Sequence, residues 1–257
     1  MHLELLDSIA MEVLPTARIE RNPRWMLDGR TVLIGPYHSS DEHERHVGQT
    51  IGSTDWLWSA SDELRFDTKT LILQSVMLTV PDATLPSDLS LASWQTAPRE
   101  SGLLRLLTAK NFRLEPTDFR WMDAQGKALT CLYKAAVEMP QKQQLRLRIA
   151  QNLEFFFADE KFCGWSLIDP GRFVVNAWEE PAFEEVDEQF VVLLHGYLEL
   201  VTDPYIEQME DKSPKLLEAL LDLYTRIQDD HSSSMRSNIL RAAVADKLDR
   251  FYDQKVN

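Results

Sequence analysis

The side chains best suited to chemistry lie close together in His38-Ser39-Ser40-Asp41-Glu42-His43-Glu44-Arg45-His46. Three of the six histidines and three carboxylates fall within this stretch. On a helix, His43 and His46 share a face, with Glu42 beside His46. Two imidazoles and a carboxylate are a ligand set for a divalent metal. The spacing is not the His-Glu-x-x-His of zinc proteases, however, and no matching third ligand is evident elsewhere. A polar surface loop beginning after Gly35-Pro36 accounts for the same residues. No metal is therefore assigned, and His38, His43 and His46 stand as candidates for a metal-dependent enzyme only if a further ligand joins them.

Other catalytic signatures are missing from the sequence. There is no G-x-S-x-G and no G-x-G-x-x-G, and nine glycines leave little from which to build a phosphate loop. Leu193-Leu194-His195-Gly196 has the look of an oxyanion turn but sits inside a helical pattern, so His195 reads as an ordinary helix residue. Cys131 and Cys163 lie in no C-x-x-C pair and read as buried free thiols. No catalytic residue and no cofactor is assigned.

Charge is the next signal. The net charge is −14. Residues 173–257 hold 18 acids against 8 bases, whereas residues 99–172 hold 9 acids against 12 bases. Between Arg172 and Lys212 there is no lysine or arginine, while 11 acids fall between Glu179 and Asp211. Such a surface repels nucleic acid and anionic membrane and attracts a basic protein partner. Acids placed ahead of a helix also favour its positive end, which is a purely local explanation for part of the cluster.

Stepping along the chain, the elements that must position these groups divide into β and α. The fold class is α+β, with antiparallel hairpins or a meander in the first two thirds and a helical C-terminal segment. Thr31–Gly35, Trp56–Ala60, Leu64–Asp67 and Leu71–Val80 read as strands, the last ending at Pro81. The Pro- and Ser-rich stretch 81–98 reads as a loop and a boundary, and Ser101–Leu107 as a short helix. Phe119–Met122 and Ala128–Val137 form a hairpin about Asp123–Lys127. Leu145–Ile149 alternates as a half-buried strand does, and Leu153–Phe157 pairs with Cys163–Ile168 around Asp159-Glu160-Lys161.

Beyond residue 187 the period changes. Phe190, Val191, Leu194, Leu198 and Val201 share one helical face. Asp203-Pro204 and Ser213-Pro214 each open a further helix, the second burying Leu216, Leu220, Leu223, Tyr224 and Ile227. Ser232-Ser233-Ser234 caps a last helix striped by Ile239, Ala243, Val244, Leu248 and Phe251. Such stripes either cover the sheet or let the chain assemble as a scaffold. The regions are thus 1–98, 99–178 (which the same domain could include) and 179–257. No secretory signal and no membrane-length apolar run is seen, so a cytoplasmic protein is expected.

The segment Phe162-Cys163-Gly164-Trp165-Ser166-Leu167-Ile168-Asp169-Pro170, with the hairpin before it and the acidic helical end after it, resembles in outline the immunity proteins of bacterial polymorphic-toxin systems. The outline carries no diagnostic signature, and no residue role transfers from it. The resemblance implies a protein that binds one toxin inside the cell and masks its active surface. Against a basic nuclease cleft, an acidic patch would stand in for phosphates and speed association. Glu179, Glu180, Glu184, Glu185, Asp187 and Glu188 would then be the anchors, with Trp178 and Phe183 as apolar contacts. Placement of both rings in the core is the alternative.

Overall fold

The β-branched and aromatic runs pair into two sheets, and the helical stripes close over them. The structure, a computed structural model, describes residues 1–5, 9–53, 61–87, 89, 91–138, 143–182, 185–230 and 234–256. The expected strand Trp56–Ala60 lies outside the described residues, as does Pro140 at the end of the second hairpin.

Strands β1 (His2–Leu5), β2 (Ile9–Pro15), β3 (Arg24–Met26) and β4 (Thr31–Ile34) lead into helix α1 (Ser40–Gln49). Strands β5 (Thr50–Gly52), β6 (Glu63–Asp67) and β7 (Leu73–Thr79) precede a short helix α2 (Ala92–Thr96). Then come β8 (Arg99–Leu106), β9 (Phe119–Met122), β10 (Ala128–Leu132), the short helix α3 (Lys134–Glu138), β11 (Gln144–Ala150), β12 (Leu153–Ala158), β13 (Lys161–Ile168) and β14 (Val174–Val175). Helices α4 (Glu188–Leu200), α5 (Asp203–Glu210), α6 (Pro214–Asp229) and α7 (Met235–Tyr252) finish the chain. This is an α+β fold, with strands mostly in the first two thirds and α4–α7 after them.

The larger sheet runs β1-β2-β8-β11-β12-β13-β10-β9, and its β1 also meets β13 at Glu4 and Lys161. That contact bends six of the strands toward a closed ring. The smaller sheet runs β14-β3-β4-β7-β6-β5. The sheets interleave in sequence: β1 and β2 join the larger sheet, while β3 to β7 build the smaller one. One continuous apolar core links both sheets and the C-terminal helices, from Leu5 and Trp165 to Leu220 and Leu248.

Most expected elements form where periodicity places them, with three corrections. Residues 101–106 are not helical but part of β8, a strand between β2 and β11, and Leu107 lies just past its end. Leucine and arginine suit a helix, yet the hydrogen-bonding edges of two neighbours override that preference. Gly102 packs so closely on β2 that a Cβ there would meet Val13 at 2.4 Å. The strand starting at Ala128 stops at Leu132, and Lys134–Glu138 turns into a helix. Residues 40–49 form a helix rather than a surface loop.

The β12–β13 hairpin turns tightly on Asp159 and Glu160, both in the left-handed region at φ 48° and 70°. In α6 the five residues expected inside are the buried ones. In α7 Ala243, Val244, Leu248 and Phe251 are buried with Leu240, while Ile239 lies at the margin. Asp203-Pro204 does open α5, but as its first turn: the N-cap position that an Asp before Pro suggests falls one residue earlier, on Thr202. No helix among the described residues is long and apolar enough to cross a membrane.

One side chain ties the layers together. Buried Arg120 on β9 donates to the carbonyls of Pro81 (2.8 Å), Leu198 (2.7 Å) and Val201 (2.8 Å). Its guanidinium thus bridges the edge of the larger sheet, the loop after β7 and the C-terminal end of α4. Burial lowers its pKa to about 10.

Candidate functional site

Helix α1 begins at Ser39, whose hydroxyl accepts from the Glu42 amide. The Glu42 carboxylate in turn accepts from the His38 amide at 2.6 Å. This is a variant of the reciprocal Ser-x-x-Glu cap. At the other end, buried Arg65 on β6 donates to the carbonyls of Val47 (2.8 Å) and Thr50 (2.6 Å), where a cation complements the helix dipole. The helix is therefore pinned across the polar face of the smaller sheet.

His43 and His46 do share the inner face of α1, but they reach different partners. His43 Nε2 lies 2.9 Å from Oε1 of buried Glu63. His46 Nε2 lies 2.8 Å from Oγ of buried Ser75. Burial lowers the His46 pKa, with Glu63 acting in the opposite direction. Beneath both rings sits Tyr37, 4.8 Å from His43 and 5.4 Å from His46 between centroids. Burial raises its phenol pKa, and Glu63 adds to the effect.

The acidic segment comes to this same place. Trp178 stacks on His43 (5.8 Å, 30°) and meets Tyr37 edge-on at 5.8 Å. His38 Nδ1 is 3.9 Å from Glu180 Oε1. Two candidate regions 130 or more residues apart in the chain are thus one surface. Sequence periodicity carries no signal for that meeting.

Two arginines that the sequence reading did not single out hold the segment. Buried Arg24 donates to the carbonyls of Trp178 (2.7 Å), Tyr37 (2.6 Å) and Gly35 (2.8 Å). Buried Arg236 donates to the carbonyls of Ala182 (2.7 Å) and Glu185 (3.3 Å). The cations missing between Arg172 and Lys212 are therefore supplied from β3 and α7. They grip main-chain oxygens and leave the carboxylates of the segment otherwise engaged or free.

The expected anchors divide by what they touch. Glu179 accepts from the amides of Asn176 (2.6 Å) and Ala177 (2.9 Å), closing a local turn. Asp187 is the N-cap of α4 and accepts from the Phe190 amide at 2.5 Å. These two carboxylates serve local structure. Glu180, Glu185 and Glu188 are exposed. Trp178 is half-buried rather than fully in the core. Phe183 and Glu184 lie outside the described residues.

The Ser75 hydroxyl faces His46, but Ser75 is wholly buried, so a substrate carbonyl has no approach to it. His38, His43 and His46 point to three separate partners. No group of three His, Cys, Asp or Glu side chains converges as a metal site among the described residues. The two thiols are free and buried, and burial raises both their pKa values, that of Cys163 to about 12. His195 lies on α4 with its Nδ1 3.5 Å from Glu199. Comparison with protein-family models, with curated proteins and with solved structures finds no match to this chain.

Proposed function

We propose that this protein binds a basic protein partner through the surface formed by Trp178, Glu180, Glu185 and Glu188 and masks that partner's active surface. The observation that carries this reading is the mounting of Trp178. Its ring stacks on His43, its carbonyl is clamped by Arg24, and it remains half-buried two residues before exposed Glu180. A fixed aromatic anchor with charged neighbours is the composition of an interface hot spot, because little side-chain entropy is lost on docking. The solvated carboxylates raise the encounter rate with a cationic surface.

A basic toxin domain inside the cell is the specific partner that the outline likeness to immunity proteins suggests. The test places a photo-crosslinking residue at position 185 in the producing cells and identifies the captured protein. Its affinity is then measured against the wild type and the Glu180→Lys, Glu185→Lys, Glu188→Lys triple variant. The expected loss is about 100-fold, with a much weaker salt dependence of the association rate. An affinity unmoved by the three reversals, or a captured surface that is itself acidic, would refute the reading.

A further inference from the structure

On the larger sheet lies a cavity of about 230 Å³. Its floor is a hydroxyl pair on neighbouring strands, Thr130 on β10 and Ser166 on β13, with their oxygens 3.0 Å apart. Trp121 and Trp94 stand at its sides. Trp94 is fixed by stacking on Phe156 at 5.0 Å and 10°. Asp123, Arg146 and Gln95 complete the polar lining.

Part of the hydrogen-bonding capacity of this lining is unspent. Thr130 and Ser166 are 5% and 1% exposed, and their hydroxyls have no hydrogen-bond partner but each other among the described residues. A hydroxyl pair shares one hydrogen, which leaves one O–H and several lone pairs unspent. Asp123 uses one oxygen on the Lys127 amide at 2.6 Å, and its other oxygen is free to accept. Arg146 is not free to bind an anion. Its Nε and Nη2 are 2.8 and 2.7 Å from Glu154, and its Nη1 donates to the Gln95 carbonyl at 3.1 Å. Asp123 is therefore a charged acceptor that no cation pairs with among the described residues of the lining, and beside it stand the donors and acceptors of the hydroxyl pair, Gln95 and the indole N–H groups.

We infer that this cavity is a binding site for a neutral, hydroxyl-rich single ring, a monosaccharide unit. Each hydroxyl of such a ring both donates and accepts, so it serves Asp123 as well as the hydroxyl pair, and its C–H face suits an indole wall. Aromatic walls with a few convergent polar groups are the usual build of a small-molecule site. The size agrees. At ~30 Å³ per water, the cavity has room for roughly eight waters, one ring with its substituents. It falls below the ~300 Å³ at which sites for larger ligands begin. A carboxylate or phosphate would meet Asp123 with no free cation among the described residues of the lining.

The test is saturation-transfer NMR on the full chain. The probes are methyl α-glucopyranoside, methyl β-galactopyranoside and the methyl glycoside of N-acetylglucosamine, with adenine and benzoate as rivals. The expected result is saturable binding of at least one glycoside with a millimolar Kd, weakened about tenfold or more by Asp123→Asn and by Ser166→Ala. Thermal melts establish that the variants fold, and Asp123→Asn alone decides the matter if Ser166→Ala does not fold. The inference is overturned if no glycoside saturates up to about 50 mM. It is equally overturned if binding is the same in folded variants, or if adenine or benzoate binds in place of the glycosides.

Discussion

Glu154 and Asp62 are both carboxylates hidden from water, at 1% and 0% exposure, but they live in opposite company. Glu154, on the outer face of the larger sheet, has guanidinium nitrogens of Arg99, Arg146 and Arg148 at 2.8, 2.7 and 3.7 Å. Asp62, just ahead of β6, accepts from the Thr79 amide at 2.7 Å through one oxygen, and its other oxygen has no hydrogen bond. Burial pushes the Asp62 pKa up to about 7, with the Thr79 hydrogen bonds only partly resisting. The difference shows that depth alone does not set the role of a buried acid. With cations around it, the acid is a hub that cross-links three strands. Without them, it becomes a group that prefers to keep its proton.

The largest expected effect follows from Asp62. Its folded pKa is raised above the unfolded value of 3.8, so the folded state holds a proton that the unfolded chain has already released. Its contribution to stability is complete below pH 3.8 and is lost as pH rises toward about 7. Over that window the stability of the wild type relative to Asp62→Asn falls by ~4 kcal/mol, taking 1.36 kcal/mol per pKa unit. Urea unfolding of both proteins at several pH values between 4 and 8 measures it. Parallel stability profiles would remove the contrast with Glu154.

Next in size is Glu154→Ala, which leaves three guanidiniums without their shared anion. Arg99 and Arg148 are 45% and 35% exposed, so water relieves part of the cost. A loss of about 3 kcal/mol in urea unfolding is expected, at the low end for a broken buried pair. A loss below about 0.5 kcal/mol would class the hub with ordinary surface ion pairs.

A smaller effect is expected at Glu63→Gln, which keeps the shape but weakens the bond to His43. About 1–2 kcal/mol of stability is at stake, and Trp178 should gain solvent exposure as His43 loosens. Acrylamide quenching of a variant in which Trp178 is the sole tryptophan lost, compared with wild type, reports this motion. No change in the Trp178 contribution would mean that α1 holds His43 unaided. The smallest is Asp187→Ala, which removes the N-cap of α4 at a cost of ~1 kcal/mol by thermal unfolding. It should leave the proposed partner interface nearly intact.

Legibility in the sequence followed the range of the forces involved. Helix α6 was readable because its stripe and its Ser213-Pro214 start are both local, and all five of its expected inner residues are buried. Strand β8 was misread because Leu103, Leu104 and Leu106 suit either period, and only its neighbours β2 and β11 decide between them. Helix α1 carried its own signal in Ser39-x-x-Glu42, a cap that went unweighted beside the polar composition. The site was half legible. Histidines and acids mark themselves by type, but Arg24, Glu63 and Ser75 are ordinary strand residues until the smaller sheet gathers them beneath α1. No local pattern reveals that Trp178 arrives on His43.

The three carbonyls gripped by Arg120 have a consequence for how the molecule comes apart. A loop, a strand and a helix end share one guanidinium, so none can leave without stranding a buried cation. Local fraying of α4 from the sheet is thereby coupled to disruption of the sheet edge. In hydrogen exchange, the amides around Leu198 should open together with those of β9, as one cooperative unit rather than as a detachable helical appendage.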